Sequence, residues 1–505
     1  MTIESPPRPP ATPLGLQTST RYLDSLADGR AVWLDGQRIT DVAGHPAFTE
    51  AAHELGRLFD LQHDPALRDQ LTTPAPGGTH RLSWAYHLPT TAQDLRAKRH
   101  NADIWMHESW GQHGRSPAFM STIAVGIYDF RTRLGTNRPE FETNAENYYR
   151  YCADNDLVLA HALGDPQIDR SATPLDDPDL ALRIVAENSD GITVRGAKQL
   201  TTLAPFAHEV LVYLSASFAN RGAEQFVVWF GSPINTPGLK ILCREPLGHG
   251  GFGHAHPFGR RFDEQDAMLF FDDVFVPWDR VLLLHDGALA REGLGRINAW
   301  SQYVGQVRFR ERLQSLLSVG LVLAESIGVD GFRNIQEDLG ELASYIDILD
   351  YFLDAGEAGA HHTDGGLLAP AATPAAAVWA AQIASRCTEI VRRIGSAGIL
   401  MQPTEADLAS TELRPFLDTY MRGKTVPVDQ KARLFRLAWD LTEDGFGSRQ
   451  DLYEFVHRGD ITRNRINLLH KHKNSAHVAR VRSVISQPIS RPADTVNPVS
   501  GKAFA

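Results

Sequence analysis

Leu182-Arg183-Ile184-Val185-Ala186-Glu187-Asn188-Ser189-Asp190-Gly191-Ile192-Thr193-Val194-Arg195 is the stretch on which the fold turns. Two β-prone runs flank Asn188-Ser189-Asp190-Gly191. Asp-Gly between such runs signals a hairpin, because its turn needs positive φ. The β texture extends outward from about residue 159 to 278. Residues 209–218, 225–230, 239–243 and 267–276 are short runs rich in Val, Phe and Tyr, separated by Gly, Pro and Asn. That pattern predicts a small sandwich or barrel, a middle antiparallel β domain over 158–285.

On both sides the period changes to that of a helix. Tyr22, Leu23 and Leu26 form an apolar stripe after Ser19 or Thr20 as cap, and Gly29 stops it. Residues 144–159 read as another helix or helix end. Further on, Leu339, Leu342, Ile346, Leu349 and Phe352 recur every three or four residues. Ile383, Cys387, Ile390 and Ile394 do the same, as do Leu434, Leu437 and Leu441. Helices with one apolar face predict a bundle. The chain thus divides into a Pro-rich arm (1–13), a helical domain (14–157), the β domain (158–285), a helical bundle (286–486) and an extended tail (487–505). This α+β order is shared by few large folds. One is the acyl-CoA dehydrogenase architecture, with a flavin between β domain and bundle.

Composition bounds the function. The 505 residues suit about three domains. Lys plus Arg number 50 against 61 Asp plus Glu, a net charge of -11, which argues against a sequence-independent nucleic-acid binder. Cys152, Cys243 and Cys387 are sparse and far apart, as in a reducing compartment, and they form no disulfide framework. The amino terminus has no apolar core of a signal peptide, and the longest uncharged run, 367–385, carries Pro370 and Pro374. It reads as a loop feeding a core helix rather than a membrane span, so a cytoplasmic protein is expected.

Several motifs admit two readings. Gly248-His249-Gly250-Gly251-Phe252-Gly253 has the GxGxxG spacing, but His-Ala-His-Pro follows instead of a helix, so a Gly-rich loop is expected rather than a dinucleotide site. His249, His254 and His256 fit no standard metal spacing, with no carboxylate pair obvious nearby, so they read as loop histidines and no metal is expected. Gly114-Arg115-Ser116-Pro117 is either a surface turn or a cation aimed into a pocket. His161, closing the apolar run Leu157 to Ala160, is either a satisfied core residue or an acid-base group. Thr201-Thr202 and Phe446-Gly447-Ser448-Arg449 are turns that could hold a phosphate or a ring carbonyl, or mere element ends.

Taken together these segments resemble the large oxygenase component of the 4-hydroxyphenylacetate 3-monooxygenase family. The resemblance runs from about Tyr22 to Gly459. It rests on Tyr22-Leu23-Asp24-Ser25-Leu26 with Asp28-Gly29-Arg30, on Gly114-Arg115-Ser116-Pro117, and on His161-Ala162 with Pro166-Gln167 and Asp169-Arg170. It continues through Phe262-Asp263-Glu264, Asp266-Ala267, residues 272–278, Phe446 to Arg449, and Leu452-Tyr453-Glu454. The resemblance implies an acyl-CoA dehydrogenase-like fold, a homotetramer, and reduced flavin (FAD, with FMN as the other choice) supplied by a separate NAD(P)H-flavin reductase. It implies reaction with O2 to a C4a-hydroperoxyflavin and oxygen transfer to a phenolic ring.

Carried over by position, Arg115 and His161 are the expected catalytic pair: Arg115 over flavin and substrate, His161 on the phenolic oxygen. His161, Ala162, Leu163, Gln167, Ile168, Asp169, Arg170, Thr202, Phe446, Gly447, Ser448 and Arg449 are the expected flavin contacts, with Arg170 and Arg449 meeting its anionic part. Residues 214–222 are a candidate loop over the substrate.

The sequence also departs from the family pattern. Ala118-Phe119 stand where members commonly have Asp-Tyr, which removes a hydroxyl from the substrate site. Phe206 and Ala207 stand where hydroxyl side chains are expected. With Ser116 these complete the expected substrate contacts. The departures imply an aromatic substrate other than 4-hydroxyphenylacetate, larger or less charged, and leave N-oxidation or oxidative dehalogenation as the alternative reaction. An acyl-CoA dehydrogenase-like flavoenzyme or a non-catalytic flavin-binding homologue is less consistent with the motifs.

Overall fold

In the computed structural model the described residues are 15–78, 80–115, 117–213, 226–248, 255–372, 374–459 and 461–486. The Pro-rich arm, the extended tail, Ser116, the 214–222 loop, and His249 through His254 of the Gly-rich segment lie outside them.

The amino-terminal helices are α1 (Ser19–Ser25), α2 (Thr49–Asp60), α3 (Ala92–Glu108), α4 (Ala118–Gly135) and α5 (Pro139–Asp154). The α1 cap is Thr18, whose hydroxyl accepts the Arg21 N–H, one residue before the expected cap. Helix α3 opens with a capping box of Thr91 and Asp94. Helix α4 is apolar on nearly every side and lies buried. A Cβ on its Gly126 would stand 2.1 Å from the Ile297 carbonyl oxygen, so only glycine allows that crossing.

Helical texture also conceals strands here. β1 (Val32–Leu34) and β2 (Gln37–Ile39) form a hairpin, and β3 (Thr72–Pro74) pairs with β4 (Arg81–Ser83). The middle region adds β5 (Leu159–Ala162), β6 (Arg183–Glu187), β7 (Gly191–Thr202), β8 (Glu209–Val212), β9 (Val228–Pro233), β10 (Leu239–Cys243), β11 (Asp266–Pro277) and β12 (Val281–Leu284). Two sheets result, of order β2-β1-β10-β11-β7-β6 and β12-β9-β8-β5.

The hairpin read at 188–191 is present: the Asn188 side chain accepts the Asp190 and Gly191 N–H groups, and Glu187 pairs with Ile192. The domain is not purely antiparallel, because β1 runs parallel to β10 and β5 parallel to β8. The parallel β1 pairing also carries the larger sheet into the amino-terminal region, where no strand was expected. One Gly164–Gln199 bridge links the end of β5 to β7.

The bundle comprises α6 (Gly287–Ile297), α7 (Ala299–Ile327), α8 (Arg333–Ala358), α9 (Pro374–Gly395), α10 (Val428–Thr442) and α11 (Gly445–Val456), followed by helices Ile461–His472 and Ala476–Ile485. The stripes on α8, α9 and α10 close one core with Phe309, Leu313 and Leu316 of α7. The 367–385 run feeds α9 as expected. Among the described residues no helix is long and apolar enough to cross a membrane. All three cysteines are buried and unpaired.

Candidate active site

Helix α3 ends at a reversal that delivers the Arg115 loop. Gly111 turns the chain at φ +66°, and a Cβ there would meet the Arg312 backbone nitrogen at 2.3 Å. Three and four residues on, the Gly114 and Arg115 N–H groups donate to the two carboxylate oxygens of Glu264 at 2.8 and 2.7 Å. A carboxylate holding two backbone donors fixes the loop from below, and charge-assisted bonds of this kind are the strong ones.

The Arg115 guanidinium is then placed by aromatic groups. It donates to the Tyr453 hydroxyl at 2.5 Å. It lies 4.5 Å from the Phe119 ring centroid and 5.0 Å from that of Tyr453. It is buried, and among the described residues no carboxylate lies within ion-pair distance of it; its Nε makes no hydrogen bond. A buried cation without a counter-ion is costly and is kept where an anion will bind.

His161 occupies the same neighbourhood. It stands on β5, whose parallel pairing sets His161 beside Leu211. Its Nδ1 is 3.1 Å from the Tyr213 hydroxyl, and its ring meets Phe119 edge-on at 6.3 Å. Burial, assisted by the Arg115 charge, holds the imidazole well below its ordinary pKa. His161 is therefore neutral at pH 7 and able to take a proton.

The opposite wall is built on Glu264-Gln265-Asp266. Asp266 accepts from Arg449 at 2.9 and 2.7 Å, from Arg244 at 3.2 and 3.1 Å, and from the Thr202 hydroxyl at 2.8 Å. Desolvation alone would raise its carboxyl, but the two guanidinium groups hold it far below the usual carboxylate range. Leu200, Leu203 and Gln265 all adopt positive φ, at 57°, 70° and 49°. Such strain in non-glycine residues is uncommon and gathers at functional sites. The Gln265 amide is buried with neither nitrogen nor oxygen bonded, and the Thr201 hydroxyl is likewise unbonded.

Helix α11 carries Arg449 and Tyr453 and is anchored through Glu454. This carboxylate pairs with Arg308 and Arg458, which hold its pKa at about 2 against the effect of burial.

The expected site residues do not all converge. Arg115, Phe119 and His161 meet. Ala162 is buried and Leu163 half-buried on the β5 exit, where Lys198 reaches the Leu163 carbonyl at 3.4 Å and Asp165 at 2.7 Å. Gln167, Ile168, Asp169 and Arg170 form an exposed loop beyond it. Thr202 spends its hydroxyl on Asp266, and Arg449 spends its charge there, so Arg449 is a brace rather than a free cation. Phe446 stacks on Phe258 in the bundle core, and Gly447 abuts the α10 backbone.

Phe206 and Ala207 face elsewhere. The Phe206 ring packs edge-on against Phe48, its carbonyl accepts the Tyr22 hydroxyl, and the Ala207 carbonyl accepts from Arg30. Both are core residues against the amino-terminal helices, and neither makes a contact with Arg115 or His161 among those described. Sequence reasoning assigns no site role to Tyr213, Tyr453, Glu264 or Gln265. Their sequence signals were the Asp263-Glu264-Gln265-Asp266 cluster at a strand entrance and a Tyr closing the apolar run 210–212.

The buried histidines make stability pH-dependent. Burial depresses His161, His113 and His457, lowers His87 to about 4, and, with nearby arginines, lowers His208 to about 3. Folded pKa values below the unfolded 6.5 mean that the unfolded chain binds more protons as pH falls. Stability is therefore present above about pH 6.5 and is lost below it, by up to about 1.4 kcal/mol per pH unit for each histidine. Glu209, raised by burial to about 7, opposes this in part. Denaturation at pH 7.5, 6.5 and 5.5 is expected to show a steepening loss, and equal midpoints would contradict it.

Comparison with known proteins places this geometry. Family models described as 4-hydroxyphenylacetate 3-hydroxylase N terminal and C terminal match residues 18–283 and 295–486. A 4-hydroxyphenylacetate 3-monooxygenase oxygenase component of Thermus thermophilus is 32% identical over 480 residues, covering 94% of this chain and 98% of that protein. A pyoverdin chromophore biosynthetic protein of Pseudomonas aeruginosa is 31% identical, covering 94% and 96%. The 4-nitrophenol 2-monooxygenase oxygenase component of a Rhodococcus species is 29% identical, covering 88% and 86%.

Among solved structures, an oxygenase component of 4-hydroxyphenylacetate 3-monooxygenase complexed with FAD and 4-hydroxyphenylacetate superposes with a TM-score of 0.87 at 31% identity, over 93% of this chain and 98% of that one. An archaeal 4-hydroxybutyryl-CoA dehydratase reaches 0.82 at 17% identity over 94% and 97%, a likeness of fold alone. The helix–sheet–bundle order is the acyl-CoA dehydrogenase-like fold expected above.

Proposed function

The chain belongs to the 4-hydroxyphenylacetate 3-hydroxylase family, and from that membership we propose that it is the oxygenase component of a two-component aromatic monooxygenase. It would take reduced FAD from a separate NAD(P)H-flavin reductase, use O2, and act in the cytoplasm as a homotetramer. The observation that carries this reading is the buried Arg115, with no carboxylate at ion-pair distance among the described residues, beside a neutral His161.

The residues present fit a flavin. Among the described residues Arg115 Nε, the Thr201 hydroxyl and the Gln265 amide are buried polar groups without hydrogen-bond partners; the Arg115 backbone is held by Glu264, and Thr201 pairs with Ala267 next to Asp266. Ring nitrogens and carbonyls of an isoalloxazine would satisfy them, with β5 and the 167–170 loop alongside and α11 braced behind. Reduced flavin, when bound, would supply the electrons that activate O2, one atom of which enters the ring while the other leaves as water.

The chain's own residues prepare the substrate. With Nδ1–H donating to the Tyr213 oxygen, His161 Nε2 is left to accept the phenolic proton. Arg115 would then face the phenolate, whose ring is a stronger nucleophile than that of the phenol. Burial and the Arg115 charge both disfavour a lasting imidazolium, so the proton returns once the ring is oxidised. Phe119, Tyr453 and Tyr213 line the site with aromatic surface and keep water from it.

The substrate is a phenol that does not need the hydroxyl absent at Phe119. A site lacking that one hydroxyl loses the discrimination it would give against ligands that cannot bond it. Uncharged or bulkier phenols are therefore expected to be turned over with a higher kcat/KM than 4-hydroxyphenylacetate. A steady-state comparison with reduced FAD supplied enzymatically tests this, and a clear preference for 4-hydroxyphenylacetate would refute it.

A further inference from the structure

Away from this site, three side chains that are distant in sequence converge at the start of α11. They are His256, Asp440 near the end of α10, and Asp444, the amino-terminal cap of α11. Asp440 is fully buried. Its Oδ2 accepts the Phe258 and Gly259 N–H groups at 2.6 and 2.9 Å, while its Oδ1 has no partner. Asp444 divides its carboxylate in the same way: Oδ1 takes the Gly445 N–H at 2.8 Å, and Oδ2 is unbonded. His256 presents Nδ1 to both free oxygens, 2.7 Å from Asp444 Oδ2 and 4.0 Å from Asp440 Oδ1.

The 2.7 Å approach is close, yet it lacks hydrogen-bond geometry, and among the described residues all three atoms remain without a hydrogen-bond partner. Three donor atoms within 4.8 Å of one another, the two carboxylates held by backbone N–H groups and none of the three bonded to the next, are arranged as ligands to a common centre. Tetrahedral ligands about 2.1 Å from a metal stand about 3.4 Å apart. The observed 2.7 and 4.0 Å straddle that spacing. The backbone N–H groups on the other carboxylate oxygens are the outer bonds that orient metal ligands.

We propose that His256, Asp440 and Asp444 form a divalent transition-metal site, best suited to Zn2+, that fastens the segment at 256–259 to the α10–α11 junction. One imidazole and two carboxylates leave a fourth position for water. The nitrogen ligand favours Zn2+ over Mg2+ or Ca2+, which take oxygen cages. The metal would hold the helix that carries Arg449 and Tyr453 while lying outside the flavin and substrate contacts.

The test uses the full chain, stripped with a chelator and dialysed, with Zn2+ titrated calorimetrically and Co2+ followed by its visible absorption. About one Zn2+ per chain is expected, with a rise in melting temperature and a Co2+ spectrum of low coordination number. His256→Ala and Asp444→Ala, both at partly exposed positions, should each lose at least roughly 100-fold in affinity, beyond the 10–100-fold typical of an outer-shell change. They should also lose the Co2+ bands while keeping the native circular dichroism. Binding by the wild type that both variants retain, or no binding by a folded wild type, would overturn the site and leave only a His256–Asp444 ion pair.

Discussion

His161→Ala is expected to lower hydroxylated product about 10²–10⁴-fold, the usual share of a positioned acid-base group, while O2 consumption continues. The reason is local. His161 is the neutral base of the pocket, its Nδ1 is engaged by Tyr213, and the Arg115 charge beside it favours a phenolate. Without the imidazole the phenol keeps its proton and reacts slowly. Reduced flavin still meets oxygen, so the reducing equivalents leave as hydrogen peroxide. The measurement is the ratio of product to NADH consumed, with peroxide quantified in parallel. His161→Asn, which keeps a polar group but has no comparable basicity, should resemble the alanine variant. Unchanged coupling in either would remove His161 from the reaction.

Asp266→Asn is expected to cost about 3–5 kcal/mol of stability and to weaken FAD binding with it. Asp266 is the shared acceptor of Arg449, Arg244 and the Thr202 hydroxyl. Arg244 keeps Asp263 as a second partner at 2.5 Å, whereas among the described residues Arg449 has only Glu264 as a further carboxylate, at 3.6 Å, beside a neutral contact to Gln450 at 3.4 Å. Removing one partner of a buried pair leaves a charge stranded, and the penalty is that of the uncompensated ion rather than of the lost bond. The same change frees Thr202 and loosens α11 against β11, so the wall that carries Gln265 and Thr201 shifts. Denaturant midpoints of the flavin-free chain read the first effect, and fluorescence titration with FAD reads the second. Asp266→Glu should recover part of both. A change below about 1 kcal/mol would show that Arg449 finds another partner.

The parts of the fold that were legible in the sequence are those set by local rules. The turn at Asn188–Gly191 and the stripes on α8, α9 and α10 depend on neighbours within four residues, and they stand where the pattern put them. β1 and β2 were not legible. Each is three residues long, and β1 is stabilised by pairing with β10, more than two hundred residues away, a relation that no period records.

The site divides in the same way. Arg115 and His161 could be singled out by residue type and motif, but not their shared contact with Phe119. Phe206 and Ala207 were placed by counting onward from Thr202. The left-handed Leu203 and the short helix after it, Ala204–Phe206, turn them into the core instead. Glu264 and Asp266 lay in a quoted motif, yet their service to Gly114, Arg115 and Arg449 required three distant segments to meet. Asp440 and Asp444 were hidden from His256 for the same reason.

Transfer of an oxygen atom from O2 to a phenolic ring is the role proposed for the Arg115–His161 pocket. Its most direct test combines the chain, FAD, a flavin reductase, NADH and a phenol under isotopically labelled O2, with the product read by mass spectrometry. No turnover is expected without the reductase; with it, the ring product should carry one labelled oxygen atom. Product oxygen drawn from water, or NADH oxidation by the chain alone, would contradict it.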